Sequence, residues 1–432
     1  MSFRTNSYQQ LSLTDSFSGL TFREQKALEH SWAKSFAEDI FPFINEEPFE
    51  VLYSSNASRP NTPVNVCIGA LIIKEVFGIS DDEIVENLML DPRYQYALHT
   101  TSCEEQPLSD KTLSRFRKRC YDYESAYGID LLHNCITSLS EKIAKMMDLN
   151  PRIKRMDSMM IAANIRKLSR TELLYTCVAK LAVYFHKNNP DVLPEDFGHY
   201  CDPNDYNRTF YYNNDSETDN RLKNILKDAD KLLSICGSDY DDVTEYQLLV
   251  RCLSEQTVVK EAVRRLRTKE DGGLHSGILQ NPSDPDATFR EKAGKEHRGY
   301  AANLEETVGK NGSVITDYQY EQNNYSDSQF LKDSLGRKEV QEEETILVTD
   351  GAYSGKANHD LAKEKNIRLV NTDLSGKPVD DILADFVFNE TGTKVLRCPA
   401  GYEPKSCGYT GSKSQQFHIS FKRDQCAGCP NK

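Results

Sequence analysis

Two strand-like runs, far apart in the chain, each carry one aspartate, and they constrain the fold more than any other feature. Asp157 lies within Arg152–Asn164, and Asp350 ends the apolar part of Thr345–Gly355. The carboxyl end of a buried strand is where open α/β sheets place ligands. Two carboxylates on two strands can hold Mg²⁺, and bound metal ions can drive phosphodiester chemistry. Either aspartate alone is better explained as a turn residue bonded to backbone amides, but the pair favours a metal site.

The predicted elements around the two aspartates have the order of a mixed α/β sheet. Strands are predicted at 153–162, 314–322, 345–349 and 367–371, a hairpin at 284–300, and helices at 326–335 and 356–365. A helical pattern at about 165–268 interrupts this order and is interpreted as a large helical insertion. The remaining order matches an α/β ribonuclease-H-like topology, whose first and fourth strands lie side by side. That topology would bring Asp157 and Asp350 together.

An all-helical region is predicted before the first strand. Its helices are expected at Val64–Phe77, ended by Gly78, from a Ser80 cap to Leu90, from a Ser109 cap to Lys118, and at Ile129–Met147. The predicted domains are therefore an N-terminal arm (1–58), a helical domain (59–150), a catalytic domain (151–390) and an incomplete cysteine-containing segment (391–432).

The distribution of charge matters more than its sum. A net charge of −13 argues against a nucleic-acid partner, because affinity for DNA comes mostly from Lys and Arg on phosphates. Basic residues nevertheless cluster at Lys111–Arg119, Arg152–Arg170 and Lys260–Lys269. A solvated helix face explains any one cluster equally well. The candidate DNA contacts are Lys111, Arg115, Arg117, Lys118, Arg119, Arg155, Lys295 and Arg298.

Length and composition indicate a protein of two to four domains. The chain has 432 residues, 38% of them hydrophobic, and no run approaches the roughly 20 apolar residues of a membrane span. The first residues lack the apolar core of a secretory signal. A cytoplasmic protein without a membrane partner is therefore expected.

Four of the 12 cysteines form a separate signal. Cys426 and Cys429 have the spacing of half a zinc knuckle, and Cys398 and Cys407 are candidates for the other half. The gap between Cys398 and Cys407 is wider than usual, so free thiols remain a competing interpretation.

Together these motifs resemble those of bacterial insertion-sequence transposases of the DDE type. The resemblance covers about residues 20–430. It rests on Arg59-Pro60, Ser109–Arg117, Met156-Asp157-Ser158 with Asn164, Asp284–Ala287 with Gly299-Tyr300, Thr349–Tyr353, and the stretch from Cys398 to Pro430.

The resemblance implies a helical domain that binds the terminal inverted repeats of the element, a catalytic domain using Mg²⁺ or Mn²⁺, and a homodimer on DNA. Asp157 and Asp350 would be the first two members of the Asp-Asp-Glu triad. The family's glutamate lies on a helix after the cysteine stretch, so the resemblance implies a C-terminally truncated chain whose activity is in doubt. Two alternatives stay open: a non-catalytic DNA-binding regulator or relic, and a metal-dependent nuclease unrelated to mobile elements.

Overall fold

The computed structural model of this chain describes most of its residues. They are residues 1–8, 17, 19–100, 108–109, 111–211, 218–237, 239–261, 263–292, 294–372, 382, 385–389, 394–409 and 417–429. Within them, three hydrophobic cores form: one among the N-terminal helices, one in the insertion and one between the sheet and its helices. No helix in this part of the chain is both long enough and apolar enough to span a membrane.

Most of the helices lie in two groups along the chain, one before the first strand and one directly after it. The helices are α1 (Phe22–Glu29), α2 (Trp32–Ser35), α3 (Val64–Phe77), α4 (Asp81–Leu90), α5 (Pro92–Ala97), α6 (Thr112–Tyr127), α7 (Leu131–Met146), α8 (Arg170–Asn188), α9 (Asp205–Phe210), α10 (Thr218–Cys236), α11 (Thr244–Gln256), α12 (Asp327–Arg337), α13 (Lys356–Glu364) and α14 (Arg423–Cys426). The strands are β1 (Ile153–Ala162), β2 (Thr257–Lys260), β3 (Val263–Leu266), β4 (Thr288–Lys292), β5 (Lys295–Gly309), β6 (Gly312–Gln322), β7 (Thr345–Thr349), β8 (Ile367–Asn371), β9 (Val387–Phe388), β10 (Val395–Arg397), β11 (Ser406–Tyr409) and β12 (Phe417–Ser420).

The N-terminal helices follow local sequence signals closely. Helix α3 ends at Gly78, whose φ of 64° is the left-handed conformation that favours glycine. Helix α4 begins with a capping box, in which the side chain of Ser80 accepts from Glu83 and that of Glu83 accepts from Ser80. The predicted Ser109 cap is wrong: α6 begins at Thr112 and continues to Tyr127, because its apolar face runs beyond Lys118 to Cys120 and packs on the helical core.

The segment before residue 59 shares the core of the N-terminal helices. Phe41 and Phe49, in the predicted arm, are buried with residues of α3, and the Phe49 ring lies 5.7 Å from that of Phe116 on α6. The pattern of 1–58 gave no helix, yet α1 and α2 form there. Both helices are too short for an apolar periodicity to identify them in the sequence, and short helices depend on the surface against which they pack.

The central sheet is mixed, as predicted. Strand β1 lies between β5, to which it is antiparallel, and β7, to which it is parallel. Strand β8 extends the sheet parallel to β7, while β4 and β6 both pair antiparallel with β5. The predicted adjacency of the first strand and the strand carrying Asp350 is therefore confirmed.

Helices α12 and α13 cover one face of the sheet. Met156, Leu347 and Leu369 are buried on that face, against Phe330 of α12 and Ala362 of α13. Full burial of one large apolar side chain stabilises a fold by about 1.5–3 kcal/mol. The predicted helical insertion forms its own core from α8 to α11, but near its end β2 and β3 pair as antiparallel strands where helix was predicted.

Candidate functional site

The structure places Asp157 and Asp350 directly after the last matched pair of two neighbouring parallel strands. That pair is Met156 of β1 with Thr349 of β7; Asp157 is the next residue of β1, and Asp350 follows the end of β7. Met156 and Thr349 are buried under α12 and α13, whereas both aspartates are exposed. Because side chains alternate along strands, the two carboxylates lie on the opposite face of the sheet from the helices.

Each carboxylate accepts a hydrogen bond from a nearby backbone amide. Asp157 Oδ1 accepts from Ser158 N at 2.8 Å, and Asp350 Oδ1 accepts from Ala352 N at 2.9 Å. No side chain of the described residues forms an ion pair with either aspartate. One oxygen of each aspartate thus bonds to a backbone amide, as expected of a turn aspartate, and the other oxygen is available to a ligand.

The turn after Asp350 is anchored by a buried tyrosine. Tyr353 is fully buried, its hydroxyl donates to Asn303 Oδ1 at 2.7 Å, and its carbonyl accepts from Asn358 Nδ2 at 2.7 Å. Burial raises the pKa of Tyr353, so the hydroxyl remains a donor. On the other side of Asp350, Asn371 Nδ2 donates to Thr349 Oγ1 at 2.7 Å. These contacts fix the position of Asp350 from both sides of the sequence.

A second buried contact lies directly behind Asp157. The hydroxyl of Ser158 donates to Asp327 Oδ1 at 2.6 Å, and Asp327 is only 7% exposed. Asp327 begins α12, and Arg290 Nη2 lies 3.9 Å from its Oδ2. Sequence reasoning missed Asp327, Asn303 and Asn358, because their roles depend on long-range contacts. Ser158 and Tyr353 were noticed only as parts of motifs.

The described residues contain no group of three His, Cys, Asp or Glu side chains arranged to hold a metal ion. For the two aspartates, this means that no third carboxylate of a described residue joins them. For the cysteines, it means that the four predicted zinc ligands are not gathered.

Each of these cysteines is half-buried. Cys407 lies on β11 opposite Ile419, Cys426 ends α14, and Cys429 N donates to Cys426 O at 3.4 Å. Cys398 follows β10. Residues 390–393, 410–416 and 430–432 of this region are outside the described part. The zinc site stays a prediction, which metal analysis of the purified protein would test.

Four of the eight predicted DNA contacts pair with carboxylates of described residues. Arg117 is bound to Asp81 at 2.5 Å, Lys118 to Asp122 at 3.0 Å, Arg155 to Glu306 at 2.8 Å, and Arg298 to Glu296 at 3.1 Å. Lys295, exposed, begins β5, and Lys111 precedes α6. Arg115 and Arg119 differ from these residues, because both line a cleft of the helical domain.

Comparison with known proteins identifies the class of protein to which the helical region is similar. Residues 24–119 match the family model of a transposase domain (DUF772). The match includes most of α1, all of α2 to α5 and the first half of α6, and it covers less than a quarter of the chain. No curated protein and no solved structure matches the chain. The similarity therefore supports a transposase-like function.

Proposed function

We propose that this chain is a DNA transposase of the DDE type, which binds the ends of an insertion sequence and cleaves and transfers DNA strands. The observation that carries the proposal is the register of β1 and β7, which sets Asp157 beside Asp350. The transposase-domain similarity of residues 24–119 supports DNA as the substrate. The strand order supports assignment of the sheet to the ribonuclease-H-like class.

The two aspartates fit the ligand preferences of Mg²⁺. This ion binds hard oxygen ligands and is commonly held by one or two carboxylates together with substrate phosphates. Asp157 and Asp350 would supply those carboxylates, each through the oxygen that does not accept from a backbone amide. When bound, the metal activates an attacking water or 3′-hydroxyl and stabilises the leaving oxygen.

The contacts of the protein around this pair serve to position it. Tyr353 and Asn371 fix the Asp350 turn, and Ser158 is held by Asp327 next to Asp157. Because both carboxylates are exposed, a DNA phosphate can approach them from the sheet face that α12 and α13 leave uncovered. Assembly of two copies on paired DNA ends is part of the same proposal.

Single substitutions test the carboxylate pair. Asp157→Asn and Asp350→Asn should each lower metal-dependent nicking of DNA carrying the element ends by more than about 100-fold, since changes merely behind a metal ligand cost about 10–100-fold. Calorimetric titration with Mn²⁺ should show the same loss of binding. Asp360→Asn, an exposed aspartate of α13, is the matched control and should behave as the wild type. Equal nicking by all variants would refute the assignment.

A second candidate is a non-catalytic DNA-binding regulator. It is favoured by the lack of a third carboxylate beside Asp157 and Asp350 among the described residues. The two functions separate in one assay, because the regulator would retain binding to element ends without Mg²⁺- or Mn²⁺-dependent nicking.

A further inference from the structure

A deep cleft lies in the helical domain, far in sequence from the two aspartates. Its volume is about 790 Å³, and it opens between the segment before α3 and the start of α6. Arg59 enters it from the first segment, and Arg115 and Arg119 enter it from successive turns of α6. All three residues fall within 24–119, the part of the chain that is similar to a transposase domain.

Among the described residues, the cleft is lined by cations and by no carboxylate. None of the described residues that line it is Asp or Glu, and Arg59, Arg115 and Arg119 form no ion pair with any of them. Glu46 lies behind the cleft wall, but it is 8% exposed and accepts from the backbone amides of Asn6 and Val64. Three arginines directed to one cleft repel each other unless an anion joins them.

The arrangement of α6 shows that these arginines are a distinct group. Arg117 points to Asp81 of α4, and Lys118 points to Asp122 one turn further on the same helix. One basic run therefore divides into cations bound by carboxylates and cations that face the cleft. Tyr53 forms part of the cleft wall, with the Arg119 guanidinium 5.3 Å from its ring centroid. Stacking of this kind restricts the orientation of the guanidinium.

We propose that this cleft binds the phosphodiester backbone of DNA through Arg59, Arg115 and Arg119. The inference rests on the proposed function and adds a specific contact surface to it. Arginine suits this ligand because its planar fork can donate two parallel hydrogen bonds to one phosphate. Arg59 does not belong to the basic run of α6. The fold brings it to the same cleft from the segment before α3.

The test is DNA binding in EDTA, where metal-dependent chemistry cannot contribute. Fluorescence anisotropy of a labelled duplex is measured between roughly 50 and 200 mM salt for the wild type and for Arg59→Gln/Arg115→Gln. Each lost phosphate contact should lower the slope of log affinity against log salt by about one. The double variant should therefore lose about two from the slope and bind roughly tenfold or more weakly at the lower salt concentration.

The control removes two positive charges from the same domain outside the cleft. Lys34→Gln/Lys145→Gln changes the net charge equally, and neither lysine is among the candidate DNA contacts. Lys34 pairs with Glu38, and Lys145 is exposed on α7. This variant should keep nearly the wild-type slope. The conservative variant Arg59→Lys/Arg115→Lys should recover most of the salt dependence, which also shows that the cleft variants fold.

Three results would overturn the cleft assignment. They are equal loss of slope in the cleft and control variants, no DNA binding by the wild type at low salt, and calorimetric binding of inorganic phosphate that depends on Arg59 and Arg115 while DNA binding does not. Failure of the proposed function has a different signature. In that case DNA binding depends on the cleft arginines, but no nicking appears when Mn²⁺ is added.

Discussion

Positive charge has different environments in the helical domain and in the β-sheet. In the sheet, Lys154 and Lys338 both pair with Glu305, which is 1% exposed. In the helical domain, Arg59 and Arg115 line a cleft without a carboxylate partner in the described part of the chain. A basic residue that faces a carboxylate stabilises the fold, whereas one that faces an open cleft is available to an anion. Neither the net charge nor the local sequence distinguishes the two.

The largest expected effect comes from removing the buried carboxylate of the sheet. Burial acts to raise the pKa of Glu305, but the charges of Lys338 and Lys154 outweigh it and lower that pKa. Glu305→Ala leaves two half-buried ammonium groups without the buried counter-charge that they share and should destabilise the fold by about 3 kcal/mol, near the lower end of what loss of one partner of a buried ion pair costs. Urea unfolding followed by circular dichroism measures this change.

The cleft provides the contrast for that measurement. Arg59→Gln should change the unfolding free energy by less than about 0.5 kcal/mol, because an exposed cation without a partner contributes little to stability. If Glu305→Ala lowered the unfolding free energy no more than Arg59→Gln, charged residues would contribute equally to stability in the sheet and in the cleft.

Loss of the Tyr353 hydroxyl should lower stability less than Glu305→Ala does, and it should also weaken metal binding. Tyr353→Phe leaves Asn303 Oδ1 without its buried donor, which should cost about 1–3 kcal/mol. Because Tyr353 anchors the Asp350 turn, calorimetry should also show Mn²⁺ affinity about 10–100-fold weaker. Tyr320→Phe is a suitable control, since Tyr320 is 51% exposed on β6. Equal Mn²⁺ affinity in the two variants would remove Tyr353 from the positioning of the site.

A pH-dependent effect is expected at the contact that joins the helical domain to the sheet. His133 of α7 lies with Nε2 2.9 Å from Asp317 Oδ1 and 3.0 Å from Tyr318 O, so this nitrogen must donate. The hydrogen bond to Asp317 raises the pKa of His133 above 6.5. Burial acts to raise the pKa of Asp317, but His133, Arg337 and Lys338 lower it from 3.8 to about 2.

These shifts fix the direction of the pH dependence. The contribution of His133 is complete below pH 6.5 and is lost as the pH rises through its folded pKa, whereas that of Asp317 is complete above pH 3.8 and is lost as the pH falls towards 2. His133→Gln should therefore lower stability by about 1.5 kcal/mol near pH 6, and by less at pH 9. Melting temperatures of the two proteins across this range measure the difference, and a constant difference would contradict the contact.

Local sequence signals predicted many elements well. The strands Ile153–Ala162, Thr345–Thr349 and Ile367–Asn371 have the predicted bounds, and so does helix α3, Val64–Phe77. A strand is indicated by an alternating or continuous apolar run, and a helix end by a terminal glycine. Both signals lie within a few residues, so a short stretch of sequence is enough to predict these elements. The wrong Ser109 cap shows the limit of this approach, because α6 starts where its buried face meets the core and not at the first capping residue.

The sequence by itself identified Asp157 and Asp350 as candidate metal ligands. It also indicated the mixed α/β character of their domain and the basic run on α6. Only the tertiary structure decided that Asp157 and Asp350 are adjacent, that Arg117 is paired while Arg115 faces the cleft, and that Arg59 joins it. The reason is physical: strand pairing and charge pairing join residues tens to hundreds of positions apart. Their partners are therefore chosen by the packing of whole elements and not by local pattern.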